Sequence, residues 1–468
     1  MSHDALAAAA DPAPVSSDDA SAEQAGLAHV ATASFIASRV VPTGGFAVAL
    51  AGGVALARVG QQVSARIGYG ASLAATLQAV AVMGPLRVGI PLTQALSAPL
   101  LGRMFARGAS LAAALVACGV IRFLDQIVTT AFYIWVVAGG IDTYAATYDA
   151  LTGNIPGVPQ GASAALVATA VGLMAWTLFA TIVQVLVYRA ALAAWPEEGE
   201  AGTARAGRRR GRDVGDGAAG DTGDTGDTSD AAGAAGDTGD TGDATGTGDS
   251  RAAHDVSCVR RYDPRAVAAA ASVAFVALLV STAWVLLGAV AVWLAGAWAT
   301  ARGDSEPVRP GLALGALLAF GALVFGLVGN IGIELTFQRT VRVMLLVLVA
   351  TWLRAAAGEQ GLREVFRRTL PRVGRVPGIH EAAAILDRLG TTGALTASAR
   401  SLVETVRHVQ RRPQPLAAAV LDWIATEAAR FTFPRETPAA RLRMRGSDLA
   451  LVIGLIAATA AAKAAALV

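Results

Sequence analysis

Three stretches of the chain carry no charged residue at all: residues 150–188, 266–301 and 310–333, which are 39, 36 and 24 residues long. A helix needs about 20 apolar residues to cross a hydrocarbon layer of about 30 Å. Lipid offers backbone groups no water, so each must find its partner within the segment or on a neighbour. Uncharged stretches of this length match lipid as the surrounding solvent. The 468 residues, 54% hydrophobic and 16% charged, are too apolar for an ordinary soluble enzyme and too many for one compact bundle. The fold class expected is an all-α polytopic membrane protein. Two helical transmembrane modules are joined by a disordered acidic linker, and cytoplasmic amphipathic helices precede a final membrane helix.

Charge segregation divides the chain further. Residues 1–38 hold Asp4, Asp11, Asp18, Asp19 and Glu23 with no Lys or Arg, which reads as a disordered acidic tail without the basic start and early apolar core of a secretory signal. Residues 39–195 form the amino-terminal transmembrane module. Residues 196–256 are a Gly/Asp/Thr-rich linker in which ten aspartates, from Asp213 to Asp249, meet no intervening basic residue. Almost nothing there is larger than Ala and apolar, so burial cannot offset the entropy of ordering. The transmembrane helices of the second module follow in 257–356, a cytoplasmic helical region in 357–446, and a terminal membrane helix in 447–468.

Topology follows from arginine. Arg205, Arg208, Arg209, Arg210 and Arg212 come after one apolar stretch and Arg260, Arg261 and Arg265 precede the next, which places the linker in the cytoplasm by the positive-inside rule. Residues 354–446 hold sixteen arginines against eight acidic residues, so they are expected on the same side. A helix of 36 residues would be about 54 Å long, so residues 266–301 are expected to split into two short spans turning near Ser281 and Thr282. Asp263 and Pro264 make a matched start for the first, as N-cap and first helical residue. Residues 310–333 and 343–353 supply two more spans. In the first module, spans are expected near 46–57, 68–86, 112–139 and 162–188, with 89–101 as a broken or re-entrant piece containing Pro91 and Pro99.

The absent motifs exclude chemistry. Lys463 is the only lysine, so no Walker A loop can be built, and any ATPase must be a partner. His380-Glu381 begins like a zinc helix, but Ala384 stands where a second histidine is required. No metal site, cofactor motif or paired nucleophile and base is legible, no nucleic-acid signal emerges from a net charge of +3, and the chain reads as a non-enzyme. Cys118 and Cys258 suggest no disulfide framework.

Two polar constellations interrupt the apolar runs. Arg122 and Asp125, three residues apart, fall on one helical face where they can neutralise each other; they either fix packing at an interfacial bend or touch a solute or partner. Thr93, Gln94 and Ser97 lie among prolines, where kinked packing and a discontinuous substrate-binding helix are both open.

The order of features in residues 257–468 resembles the transmembrane T component of energy-coupling factor transporters. The resemblance rests on the Tyr262-Asp263-Pro264-Arg265 start, a tight pair of spans, two more spans ending in Arg339, Arg342 and Arg354, a basic helical region, and a final helix after Arg441, Arg443, Arg445 and Asp448. The resemblance implies a membrane subunit that couples a pair of ATP-binding-cassette ATPases to import of a vitamin or metal ion. Family members carry Ala-Arg-Gly signatures on their coupling helices. The corresponding clusters here are Arg363, Arg367 and Arg368, then Arg407, Arg411 and Arg412, with no such tripeptide. The alternative function is a non-transporting membrane scaffold that recruits cytoplasmic partners or anionic lipid through the same basic region.

Overall fold

Helix starts in this chain are written in short polar side chains. Ser64 and Ser110 each sit in extended backbone and accept a hydrogen bond from the amide three residues on, Ile67 and Ala113, which satisfies one of the amides a helix leaves unpaired at its first turn. Asp263 does the same for Arg265, with Pro264 at the first helical position. The computed structural model describes residues 17–40, 45–85, 89–195, 262–300, 308–328, 332–373, 378–409, 413–431 and 444–465. These residues are helices and their connections, with no strand among them.

Before the linker run α1 (Ser17–Val40), α2 (Gly45–Gln62), α3 (Ala65–Met83), α4 (Gly89–Ala106), α5 (Leu111–Phe132), which continues as a π turn (Tyr133–Val137), α6 (Ile141–Thr152) and α7 (Ala162–Ala193). After it come α8 (Pro264–Val280), α9 (Trp284–Thr300), α10 (Val308–Val328), α11 (Ile333–Thr369), α12 (Ile379–Arg388), α13 (Thr392–His408), α14 (Pro413–Arg430) and α15 (Gly446–Ala465). Both sides of the linker belong to one compact unit, Met1–Ala193 with Arg260–Val468. Of the second unit, Ala194–Val259, only the first two residues are among those described, so the linker expected at 196–256 lies outside them.

The helices divide by what surrounds them. Among the described residues, five are long and apolar enough to cross a membrane: Leu111–Trp135, Ala162–Ala193, Gly311–Val328, Ile333–Val373 and Gly446–Ala465. Large apolar side chains on α5 and α7, among them Val116, Val128, Trp135, Val167, Val171 and Leu178, are more than half exposed. Apolar surface on that scale is unfavourable in water and natural in lipid. Helices α8 and α9 are apolar but shorter, and their break falls at residues 281–283, where the length argument puts it.

Helices α1 to α3 are of the other kind. Residues 25–38 of α1 are buried on every face, packed by α2, α3, α13 and α14. This corrects the reading of residues 17–38 as part of a disordered tail. Residues 1–16 lie outside the described residues, but the rest form a helix with Glu23 in its second turn. Negative charge is favourable at that end of a helix. From residue 25 to residue 38 the helix is rich in Ala, Gly and Ser, which lets backbones approach closely: a Cβ added at Gly26 would lie 2.5 Å from the Ala428 carbonyl oxygen. The expected spans at 46–57 and 68–86 correspond to α2 and α3, neither of which is among the five long apolar helices.

Residues 89–101 are not a broken piece either. They belong to the continuous helix α4, with Pro99 inside it. Proline removes one helical hydrogen bond there, and α4 packs closely on α2, where a Cβ at Gly60 would lie 2.4 Å from the Pro99 carbonyl oxygen.

Helix α11 ties the unit together through its arginines. It bends at Gly358, whose φ of 65° only glycine adopts without strain. Arg342 donates to the carbonyls of Leu278 and Leu279 at the end of α8, Arg354 donates to Val82 O near the end of α3 at 3.0 Å, and Arg363 donates to Leu386, Asp387 and Leu389 carbonyls at the end of α12. Each guanidinium lands where a helix leaves carbonyls unpaired and its dipole favours a cation.

Candidate functional site

The two polar constellations converge. Thr93, Gln94 and Ser97 lie on one side of α4, where a residue and those three or four further on share a face, and all three are buried. Arg122 and Asp125 on α5 face them. Thr93 Oγ1 donates to Asp125 Oδ2 at 3.0 Å, and Ser97 Oγ donates to the Thr93 carbonyl at 2.8 Å. Arg122, only 3% exposed, does not pair with Asp125. Its Nη2 donates to Gln184 Oε1, and its guanidinium lies 5.7 Å from the centroid of the Phe46 ring on α2.

Gln184 and Tyr188 on α7 are the residues that complete the site. Gln184 Nε2 donates to Ser97 Oγ at 2.6 Å, and its Oε1 also takes the Cys118 thiol at 3.5 Å. Tyr188 Oη donates to Gln94 Oε1 at 2.7 Å. Thr177, Thr181, Gln184 and Tyr188 follow one another at intervals of four, three and four residues, the period of a single helix face, and all four are buried. The signal was present in the sequence as a polar stripe within an uncharged run.

The network is incomplete. Gln94 Nε2, Arg122 Nε, Thr177 Oγ1 and Thr181 Oγ1 are buried and have no hydrogen-bond partner among the described residues. Most buried polar atoms in folded proteins are paired, so Arg122 Nε and the three unpaired atoms on α4 and α7 leave hydrogen-bonding capacity for a further polar group. The arrangement can hold such a group by donation from Arg122 and Gln94. It contains no nucleophile aligned with a base.

The arginines expected to couple to a partner are placed differently. Arg363 is turned inward on α12. Arg367 donates to Glu364 at 2.8 Å and lies 3.7 Å from Asp387, and Arg368 also donates to Glu364. These three are engaged within the fold. Arg407 is exposed in the last turn of α13, and Arg411 and Arg412 lie outside the described residues.

A second buried polar chain was missed altogether. His29 of α1 is 3% exposed; its Nε2 is 3.1 Å from Ser398 Oγ, which donates to Glu427. The Phe431 ring lies 4.9 Å from the imidazole. Burial lowers the His29 pKa from 6.5 to about 4, against the opposing pull of Glu427. Among the described residues no group of three or more His, Cys, Asp or Glu is placed to hold a metal ion.

Comparison with protein-family models, with curated proteins and with solved structures returned no match.

Proposed function

We propose that the chain is an integral membrane subunit of a transporter for a small polar solute, working with a separate ATP-binding-cassette ATPase. One observation carries this reading: Arg122 is buried among helices of which two are long and apolar enough to cross a membrane, and it is held by Gln184 rather than by a carboxylate. An ionisable group in such a place is costly and is kept where a solute or ion must be met. The unpaired amide of Gln94 and hydroxyls of Thr177 and Thr181 supply the rest of the contact surface. Arginine asymmetry supports a cytoplasmic position for the linker and for residues 354–446, which puts Arg407 on the side where an ATPase would dock. Import of a vitamin or metal ion stays part of this proposal through the resemblance of residues 257–468 to the energy-coupling factor T component.

Purification of the intact chain from its native membranes in mild detergent tests the reading. The expected result is recovery of a cassette ATPase at a level matching the bait, with its ATP turnover reduced by Arg122→Gln at unchanged recovery. Arg407→Glu is expected to lower recovery itself. Intact material free of any ATPase would sink the transporter reading and leave the scaffold, for which binding to anionic vesicles through the basic region is the measurement.

A further inference from the structure

Helices α6, α10 and α11 enclose a cleft of about 490 Å³, and a smaller cavity of about 370 Å³ adjoins it; Arg339 and Thr143 line both. Arg339 is 7% exposed. Its Nη2 donates to Gly139 O at 3.3 Å and to Thr143 Oγ1 at 3.0 Å, and both acceptors are neutral. Its Nε and Nη1 have no hydrogen bond, and no carboxylate lies within ion-pair distance of it, among the described residues. Asp142 and Arg342 also line the smaller cavity, but Asp142 is exposed and unpaired with Arg339. The backbone is shaped around the guanidinium: Gly139 has a φ of 78°, and a Cβ there would lie 2.3 Å from Arg339 Nη2.

A buried guanidinium with no counter-charge, on a helix apolar enough to cross a membrane, is unfavourable unless a ligand brings the opposite charge. With Nη2 engaged, Nε and Nη1 each keep a donor for a charge-assisted hydrogen bond to an oxygen of an anionic carboxylate. The larger cleft is otherwise lined by Leu151, Leu317, Leu318 and Val343 and by Tyr133, Tyr144 and Tyr148. Leu317 and Leu318 line the cleft and are themselves exposed, so an acyl chain can enter beside them. A volume of about 490 Å³ lies at the lower end of the roughly 300–1,000 Å³ of small-molecule sites, which suits one acyl chain rather than the two of a phospholipid. We propose that this cleft binds a long-chain carboxylate of the fatty-acid type, its head on Arg339 and its chain along α6 and α10. The proposal does not depend on the transporter reading, since none of its residues belongs to the Arg122 cluster.

The test uses the full chain in zwitterionic nanodiscs, with empty nanodiscs as background, and radiolabelled palmitate as the probe. Saturable binding is expected, with methyl palmitate and dioleoyl phosphatidylglycerol displacing it at least tenfold less well than unlabelled palmitate. Arg339→Gln is expected to weaken palmitate by about tenfold or more and leave methyl palmitate unchanged. A Cβ at Gly321, which lines the cleft, meets nothing within 4 Å. Gly321→Leu should therefore fill the cleft without disturbing the fold, and it should abolish binding of both ligands. Equal displacement by acid and ester, displacement by phosphatidylglycerol as strong as by palmitate, or wild-type affinity in a folded Arg339→Gln or Gly321→Leu protein would each overturn the proposal. Should Arg339→Gln fail to fold, the ester comparison and Gly321→Leu decide alone.

Discussion

The hydroxyl of Tyr188 on α7 occupies the space that a side chain at residue 53 of α2 would need: a Cβ built on Gly53 would lie 1.5 Å from Tyr188 Oη and 2.5 Å from the ring carbon that bears it. Glycine at 53 is therefore what lets the tyrosine reach Gln94. Overpacking of this kind typically costs about 1–3 kcal/mol.

Gly53→Ala is thus expected to lower the thermal midpoint of the detergent-purified protein by several degrees. Tyr188→Phe removes the nearest atom but leaves the ring carbon, so in the Gly53→Ala background it should recover part of the loss, not all of it. A double-mutant cycle on the melting curves measures the coupling. Additive effects would show that the two residues do not meet as described.

Gln184 Oε1 accepts from the buried Arg122 guanidinium, and no carboxylate pairs with it among the described residues. Gln184→Leu would strand a charge, which is more damaging than removing the charge itself. The expected order of stability is wild type, then Arg122→Met, then Gln184→Leu, with the last down by about 2 kcal/mol or more. Adding Arg122→Met to Gln184→Leu should raise stability, since the stranded group is gone. Chemical denaturation in mixed micelles gives the order, and a double variant less stable than Gln184→Leu would contradict it.

Much of this was legible in the sequence, and what was not has identifiable causes. Uncharged length gave away α7, α10 and the break at residues 281–283, because lipid imposes a minimum run and a maximum useful one. Arg122, Asp125, Thr93, Gln94 and Ser97 stood out as polar interruptions, and the structure brings all five to one place. Sequence spacing suggested that Arg122 and Asp125 would neutralise each other, but tertiary partners won: Gln184 and Phe46 take the arginine and Thr93 takes the aspartate. Gln184 and Tyr188 escaped because they carry no formal charge, so a scan for charges passes over their stripe. Helix α1 escaped for the opposite reason. Its acids are at the front and its core is alanine, a composition that mimics a tail until small residues are read as a surface for close backbone contact.

His29 makes the stability of the fold pH-dependent in a defined direction. Burial lowers its pKa from 6.5 to about 4, so the unfolded chain takes up the proton well before the folded one. Between about pH 6.5 and pH 4 the unfolded state binds more protons, and stability is lost as pH falls through that window; above it the contribution is fully present. A shift of this size corresponds to at most about 3 kcal/mol. Melting midpoints of wild type and His29→Gln, taken across that range, should differ in slope, with the wild type falling faster on acidification. Parallel slopes would remove His29 as the group responsible.

Asp448 joins two helix starts. It is fully buried, and its Oδ2 accepts the amide of Arg445 at 2.6 Å, the reach-back contact of a capping box for α15. Its Oδ1 accepts the amide of Asp263 at 2.9 Å, and Asp263 in turn caps α8 through Arg265 N at 2.8 Å. One carboxylate thus receives amides from the N-terminal ends of both helices, where positive helix-end charge favours it. Asp448→Asn keeps the size but replaces one acceptor by an amide donor, which must then face a backbone N–H. The expected loss is about 1–2 kcal/mol, and it should appear as faster protease cleavage near both residue 262 and residue 445, because both helix starts lose an acceptor together. Asp263→Ala removes only the α8 cap, so it should sensitise the first site and spare the second. Cleavage confined to residue 445 in Asp448→Asn would show that the carboxylate serves α15 alone.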